Sequence, residues 1–308
     1  MMVQAAKLYY DLDRNQSEVA KELGLTRWQV GRLLREAREL DIVRIEIVPR
    51  SPRIPQLEAS LQKVYGLREA VIVPASTKDE SIVRDSIAQA AAQLISMIFP
   101  KPHLLGVSWG RTMSAVARWI PVNWNQNVQV VLLNGSTSRN NSPSRTNNVA
   151  EKIAVSGNGM AILLPVPAIL GRKSTRVALE NDPPIADVLH LAHEAPVACF
   201  SLGSLSSHSV LVESGYLTPS DIENLEMRGA VGDILGRFVD AEGNIVDTKL
   251  DDRTLGLPLE NLKDKSFSMG VAGGRSKHEV VLACLRMNFI NVLVSDEHTA
   301  NFLLESSS

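Results

Sequence analysis

Between Asn15 and Leu34, small, apolar and turn-forming residues fall at intervals that fit two short helices crossing at a tight turn. Ala20 is small enough for the second helix to cross closely. Gly24 can take the positive φ that such a turn asks for. Val19, Leu23, Val30, Leu33 and Leu34 supply one shared apolar face, with Gln16 leading the first helix. Asn15 with Glu18, and Thr26 with Gln29, have the spacing of two capping boxes. The apolar-rich stretch 3–10 predicts a further helix before them. In residues 42–48, Val43, Ile45 and Ile47 alternate with polar neighbours, which predicts a strand.

A helix pair of this kind, followed by a strand, predicts a winged helix-turn-helix whose second helix enters the major groove of duplex DNA. Arg27, Trp28, Gln29, Arg32 and Arg35 are the candidate outward residues of that helix. Gln reads adenine bidentately, and Arg reads guanine or holds phosphates. Arg44, on the wing, would reach a phosphate. Trp28 has two readings: it packs on a sugar or base, or it buries against Tyr9 or Tyr10.

Charge supports a local interface and no global one. The 308 residues carry a formal charge of -2. From Thr26 to Arg38, four arginines face one acid, Glu36. Nucleic-acid affinity would have to come from that element. Cys199 and Cys284 both sit in apolar runs, and neither a disulfide framework nor a zinc spacing is present. The first residues lack the pattern of a secretory signal, and no apolar run is long enough to span a bilayer. A cytoplasmic protein is expected.

Prolines 49, 52 and 55 mark a break. We expect a DNA-binding domain over 1–50, a linker over 51–56, and an effector-binding and oligomerisation domain over 57–308. Leu57, Leu61 and Val64 form a helical stripe that would pack on its own domain or on a symmetry mate. Beyond it, strand candidates (71–73, 104–108, 128–133, 160–164, 197–202, 267–271 and 290–294) alternate with helix candidates (79–98, 112–120, 147–155, 186–193 and 276–285). That alternation predicts an α/β fold with a doubly wound, Rossmann-like parallel sheet. Ligands in such sheets bind beyond the carboxyl ends of the strands.

The loops at those ends hold the candidate chemistry. Gly106, Ser108, Trp109, Gly110, Arg111 and Thr112 join a strand to a helix start. Helix-start amides with hydroxyls and an arginine make an anion cradle. The spacing is neither a Walker A loop nor a dinucleotide fingerprint, so a phosphate ester is expected; the alternative is an ordinary Gly-rich turn. Asn134 and Gly135 open a second polar loop. Asp233 is a candidate acceptor for a sugar hydroxyl, or else the salt-bridge partner of Arg237. In a fourth loop, Gly274 precedes Lys277, a cation at a helix start, where an anion would relieve its unfavourable position. His190, His193 and Glu194 are too thin a set for a metal. No cofactor and no catalytic residue is expected.

Taken together, these segments resemble the bacterial SorC-type transcriptional regulators, which include the deoxyribonucleoside and central glycolytic gene regulators. The resemblance rests on AAKLYYDLDRNQSEVAKELGLTRWQVGRLLREARELDIVRIEI from Ala5, GVSWGRTM from Gly106, GDILGRFVDAEG from Gly232, and VAGGRSKHEVVLACLRMNFINVLVSDEHTA from Val271. It implies a winged helix joined to a domain resembling sugar-phosphate isomerases without their catalysis, assembled as a dimer or tetramer. It implies operator DNA and a phosphorylated sugar or polyol as partners, and no membrane. The family's phosphate loop maps onto 106–112, its effector-site lysine onto Lys277 and its acid onto Asp233. Gly31 stands where the family commonly has Ser, and Trp109 and Arg111 occupy phosphate-loop positions often smaller or less charged. The alternative function is a sugar-phosphate isomerase or deaminase, with Asp233 and Lys277 cast as acid and base.

Overall fold

The computed structural model describes residues 1–40, 42–43, 53–75, 77, 79–136 and 148–307. The chain divides into two compact units, Met1–Arg50 and Ser51–Ser308.

The first unit contains α1 (Met2–Ala6), running into a wider π turn (Lys7–Asp11), then α2 (Gln16–Leu23) and α3 (Arg27–Glu39). The expected first helix is therefore present, with a change of pitch at Lys7. Both capping boxes form. Asn15 Oδ1 accepts from the Ser17 and Glu18 amides, and Glu18 Oε2 accepts from the Asn15 amide at 2.9 Å. Thr26 Oγ1 accepts from the Gln29 amide at 3.2 Å, while Gln29 Oε1 accepts from the Thr26 amide at 2.8 Å. Gly24 takes φ 66°, closing α2 in the left-handed region. Val19, Ala20, Val30 and Leu34 are buried against Ala5 and Ala6. The expected strand at 42–48, with Arg44, lies outside the described residues apart from Ile42 and Val43.

The second unit opens with α4 (Pro55–Tyr65). Pro55 is its first helical residue, so the helix starts inside the expected linker. Proline suits that position because it has no amide hydrogen to lose. Leu61 is fully buried within its own unit and Leu57 packs beside it, whereas Val64 is exposed. Two of the three stripe residues are thus spent at home.

There follow β1 (Glu69–Val73), α5 (Glu80–Met97), β2 (Leu104–Val107), α6 (Arg111–Trp119), β3 (Gln129–Leu132), α7 (Val149–Ser156) and β4 (Met160–Ile162). Next come α8 (Lys173–Glu180), α9 (Pro183–Glu194), β5 (Val197–Gly203), α10 (Val210–Glu213) and α11 (Pro219–Met227). A hairpin of β6 (Gly232–Ile234) and β7 (Arg237–Val239) leads to α12 (Thr248–Asp251), β8 (Phe267–Val271), α13 (His278–Arg286), β9 (Val292–Asp296) and α14 (Glu297–Glu305).

The main sheet has the order β1-β9-β8-β5-β2-β3-β4, and each neighbouring pair is parallel. Alternate residues feed two cores. Val130, Leu132, Val197 and Cys199 meet Ile87, Met113 and Ile153 on one face. Val131, Leu133, Ala198 and Phe200 meet Leu61, Val281 and Leu303 on the other. Strands covered on both faces read as continuous apolar runs, which is how they were legible. The chain winds outward from β2 through β3 to β4, then returns to β5 on the other side of β2. The two directions part between the carboxyl ends of β2 and β5, and a crevice opens there. The hairpin β6–β7 adds antiparallel to the end of β5, pairing Gly203 with Asp233.

Candidate functional site

A cleft of about 230 Å³ lies at that divergence. Eight of the eleven effector-site candidates line it: Ser108, Trp109, Gly110, Arg111, Thr112, Asn134, Asp233 and Lys277. The other three stand behind the wall. Gly106 is a strand residue whose Cβ would lie 2.5 Å from Leu133 Cδ2. Gly135 lies where a Cβ would meet the Val166 and Pro167 carbonyls at 2.6 Å, and its own carbonyl holds Trp109. Gly274 donates its amide to Asp296 Oδ2 at 2.8 Å, which fixes the loop carrying Lys277.

One end of the cleft is built by β2 and α6. Gly110, at φ 123°, turns the chain into α6, and no side chain caps that helix. The first amides of α6 therefore face the cleft with the positive end of the helix dipole behind them. Ser108 is buried; its Oγ accepts from the Ser201 amide at 3.3 Å, which joins β2 to β5. Arg111 sits at the mouth. Its guanidinium donates to the His208 carbonyl and lies 3.7 Å from Glu213 Oε1. Trp109 is buried, with its indole N–H on the Gly135 carbonyl at 2.8 Å and its ring 6.3 Å from that of Tyr216. It ties the loop between β2 and α6 to the loop after β3.

The opposite end carries Asn134, Asp233 and Lys277. Asn134 is only 5% exposed, and its Oδ1 has no hydrogen-bond partner among the described residues. An orphaned buried acceptor costs free energy that a ligand donor would restore. Asp233 accepts from the Gly236 amide at 2.9 Å. The alternative Asp233–Arg237 bridge does not form, because Arg237 pairs with Asp251 and donates to the Gly256 carbonyl. Burial pushes the Asp233 carboxyl up to about 6, against the Gly236 hydrogen bond and the Lys277 charge, which pull it down. Burial pushes the Lys277 ammonium down to about 8; Asp233 opposes this, while Arg84 and Arg111 add to it. Among the described residues Lys277 Nζ makes no hydrogen bond or ion pair. The site thus concentrates cations that an incoming anion would stabilise.

Several wall residues carried no mark in the sequence reading. Glu80 and Arg84 come from the first turns of α5, and Ser201, Gly203, Ser204, Ser206, His208 and Ser209 from the end of β5 and its loop. The signal was available: the stretch 201–209 holds five serines at a strand's carboxyl end. Among the described residues no group of three His, Cys, Asp or Glu side chains gathers to hold a metal. His190 instead lies 3.4 Å from Glu194 on an exposed face of α9.

On the first unit, Arg27, Trp28, Gln29, Arg32 and Arg35 all lie on the exposed side of α3. Trp28 is 72% exposed, so it does not bury against Tyr9 or Tyr10, whose rings pack edge-on with each other at 4.9 Å. Arg32 lies over the Trp28 ring, 5.6 Å from its centroid, and 3.4 Å from Glu36. Gln29 Oε1 also accepts from Thr26 Oγ1 at 3.0 Å, so its acceptor is already engaged twice. No described helix is long and apolar enough to cross a membrane.

Comparison with known proteins agrees with this architecture. The family model described as "Putative sugar-binding domain" matches residues 53–305. The chain is 31% identical over 304 residues to the deoxyribonucleoside regulator of Bacillus subtilis (strain 168), covering 99% of this chain and 97% of that one. It is 32% identical over 307 residues to the transcriptional regulator LsrR of Escherichia coli O157:H7, covering 98% and 93%. The crystal structure of the full-length sorbitol operon regulator SorC from Klebsiella pneumoniae superimposes with a TM-score of 0.72 at 28% identity, over 98% of each chain. The chain belongs to the SorC family of sugar-binding transcriptional regulators.

Proposed function

We propose that this family member is a DNA-binding transcriptional regulator of carbohydrate genes whose operator affinity is set by a phosphorylated sugar or polyol. Residues 1–50 act as a winged helix-turn-helix and 57–308 as a doubly wound, Rossmann-like effector and oligomerisation domain, joined through 51–56. Two reading heads, supplied by a dimer or tetramer, engage the two halves of an operator. In each head Arg27, Trp28, Arg32, Arg35 and Arg44 face the duplex. Gln29 serves first as a cap and keeps only its Nε2 donors for DNA.

The observation that carries the effector reading is convergence. An uncapped helix start with Arg111, an Asn134 Oδ1 without a partner among the described residues, and a Lys277 Nζ that makes no hydrogen bond among them all line one cleft. The phosphate would sit on the α6 amides, Thr112 and Arg111, with the polyol toward Asn134, Asp233 and Lys277. Calorimetric titration with pentose, hexose and polyol phosphates tests this, each beside its unphosphorylated parent. Arg111→Ala and Lys277→Ala should each weaken a phosphate hit by tenfold or more, since charge-assisted hydrogen bonds are worth about 1.5–3 kcal/mol. Equal binding of parent and phosphate, unmoved by either substitution, removes the phosphate site.

One observation favours an enzyme as the second reading: Asp233 near 6 and Lys277 near 8 suit acid–base work at neutral pH. Conversion of a bound sugar phosphate by the purified protein, lost in Asp233→Asn, would establish that reading in place of a purely regulatory one.

A further inference from the structure

Trp28 is the most exposed large apolar side chain among the described residues of the first unit, at 72%. Trp28 takes no part in the apolar cluster of its own unit, on which Leu23, Leu25 and Leu33 pack. Its position is specific. Thr26 caps α3, so Trp28 is the second helical residue, in the turn that a recognition helix presents to base edges. The same helix carries four arginines, Arg27, Arg32, Arg35 and Arg38, a charge that favours a polyanion. Gln29, the neighbour best suited to read adenine, is disqualified from bidentate contact because Oε1 already accepts from the Thr26 amide and hydroxyl. Arg32 lies over one face of the ring, 5.6 Å from its centroid, and pairs with Glu36 at 3.4 Å.

We propose that Trp28 is a specificity-determining residue that reads the C5-methyl group of a thymine in the major groove. The chemistry is simple. The thymine methyl is the one apolar feature on the major-groove edge of a base pair, and apolar side chains recognise it by contact. An arginine can serve phosphate or guanine, but it gains little from a methyl. The inference rests on the DNA-binding reading above and names the base feature that reading leaves open.

The test uses the full-length protein and a duplex defined by footprinting of DNA upstream of its own gene. Each protected thymine is replaced in turn by deoxyuridine, which removes the methyl group alone. Wild-type affinity should fall about fourfold for each methyl that Trp28 touches, the worth of one buried methylene-sized group. Trp28→Ala and Trp28→Gln should bind thymine and deoxyuridine duplexes equally, and their dependence on salt should match the wild type, since no phosphate contact is lost. Trp28 is exposed, so both variants should melt with the wild type. Equal wild-type affinity for every substituted duplex overturns the inference while leaving the regulator reading intact. So does a variant that still loses fourfold on the same duplexes, because another residue then reads the methyl. Absence of any sequence-specific duplex binding by the wild type overturns both.

Discussion

A methyl group added at position 203 would land 1.8 Å from Asp233 Oδ1. Gly203 is therefore the floor on which the Asp233 carboxylate rests, with the Gly236 amide holding the other oxygen. Gly203→Ala should move Asp233 without touching its chemistry. We expect weaker binding of sugar phosphates by calorimetry, and a stability loss of about 1–3 kcal/mol in denaturant titration, typical of overpacking. The same carboxyl sets a pH dependence. Its value is raised from 3.8 to about 6, so its contribution to stability is full below 3.8 and is lost as pH rises through about 6. Lys277 is lowered from 10.5 to about 8, so its contribution is full above 10.5 and is lost as pH falls through about 8. Between roughly pH 6 and 8 the empty cleft carries both penalties. Lys277→Met should raise the Asp233 titration further, because the lysine charge pulls it down; carbon NMR of the side-chain carboxyls would read this. A downward movement would show that Lys277 does not act on Asp233.

Caps and turns carry the second scale. Thr26→Ala removes the acceptor for the Gln29 amide and should cost the first unit about 1 kcal/mol. It also removes one of the two donors to Gln29 Oε1 and leaves the backbone amide of residue 26 in place, so thermal melting of the first unit should fall. This element was legible because capping residues act locally: Asn15, Glu18, Thr26 and Gln29 need only their own helix ends. The inner strands of the parallel sheet were legible because burial on both faces leaves unbroken apolar runs. The β6–β7 hairpin was not. Its strands have three residues each, and in isolation Gly232-Asp233 and Arg237 read as a polar loop. Leu235, at φ 55°, forms its turn with Gly236 at φ 84° where asparagine and glycine are the usual choice, so turn chemistry gave no warning. Pro55 reads in sequence as a breaker, and the chain places it at the first position of α4, one residue before the Gln56 start that the apolar stripe suggests. Much of the cleft wall escaped notice because its residues, Glu80 and Arg84 of α5 and the serines after β5, belong to no single local motif. The serines of 201–209 become a wall only when β5 ends beside β2, a fact of sheet order rather than of local sequence.

The largest scale concerns coupling between effector and operator, and here thermodynamics constrains the outcome more tightly than geometry. In the proposed reading, a chain with a formal charge of -2 meets DNA through α3, so phosphate contacts should show in the salt dependence. Removing Arg27 and Arg35 should lower the slope of log affinity against log salt by about 1.8 for each head engaged, at about 0.9 per phosphate contact. A fall near 3.6 would report two heads on one operator, whereas a fall near 1.8 would report one and speak against the two-headed arrangement. With that slope in hand, the effector can be tested by linkage. A sugar phosphate changes operator affinity only if it binds the two conformations of the protein unequally. Whatever factor it imposes, operator DNA must impose the same factor on its own binding. The two factors should therefore agree when each is measured at one salt concentration, by calorimetry with and without duplex and by duplex titration with and without sugar phosphate. Arg111→Ala should weaken sugar-phosphate binding and leave duplex affinity in the absence of effector unchanged. A variant that lost duplex affinity without any effector present would place Arg111 in the DNA-binding machinery instead of the effector cleft.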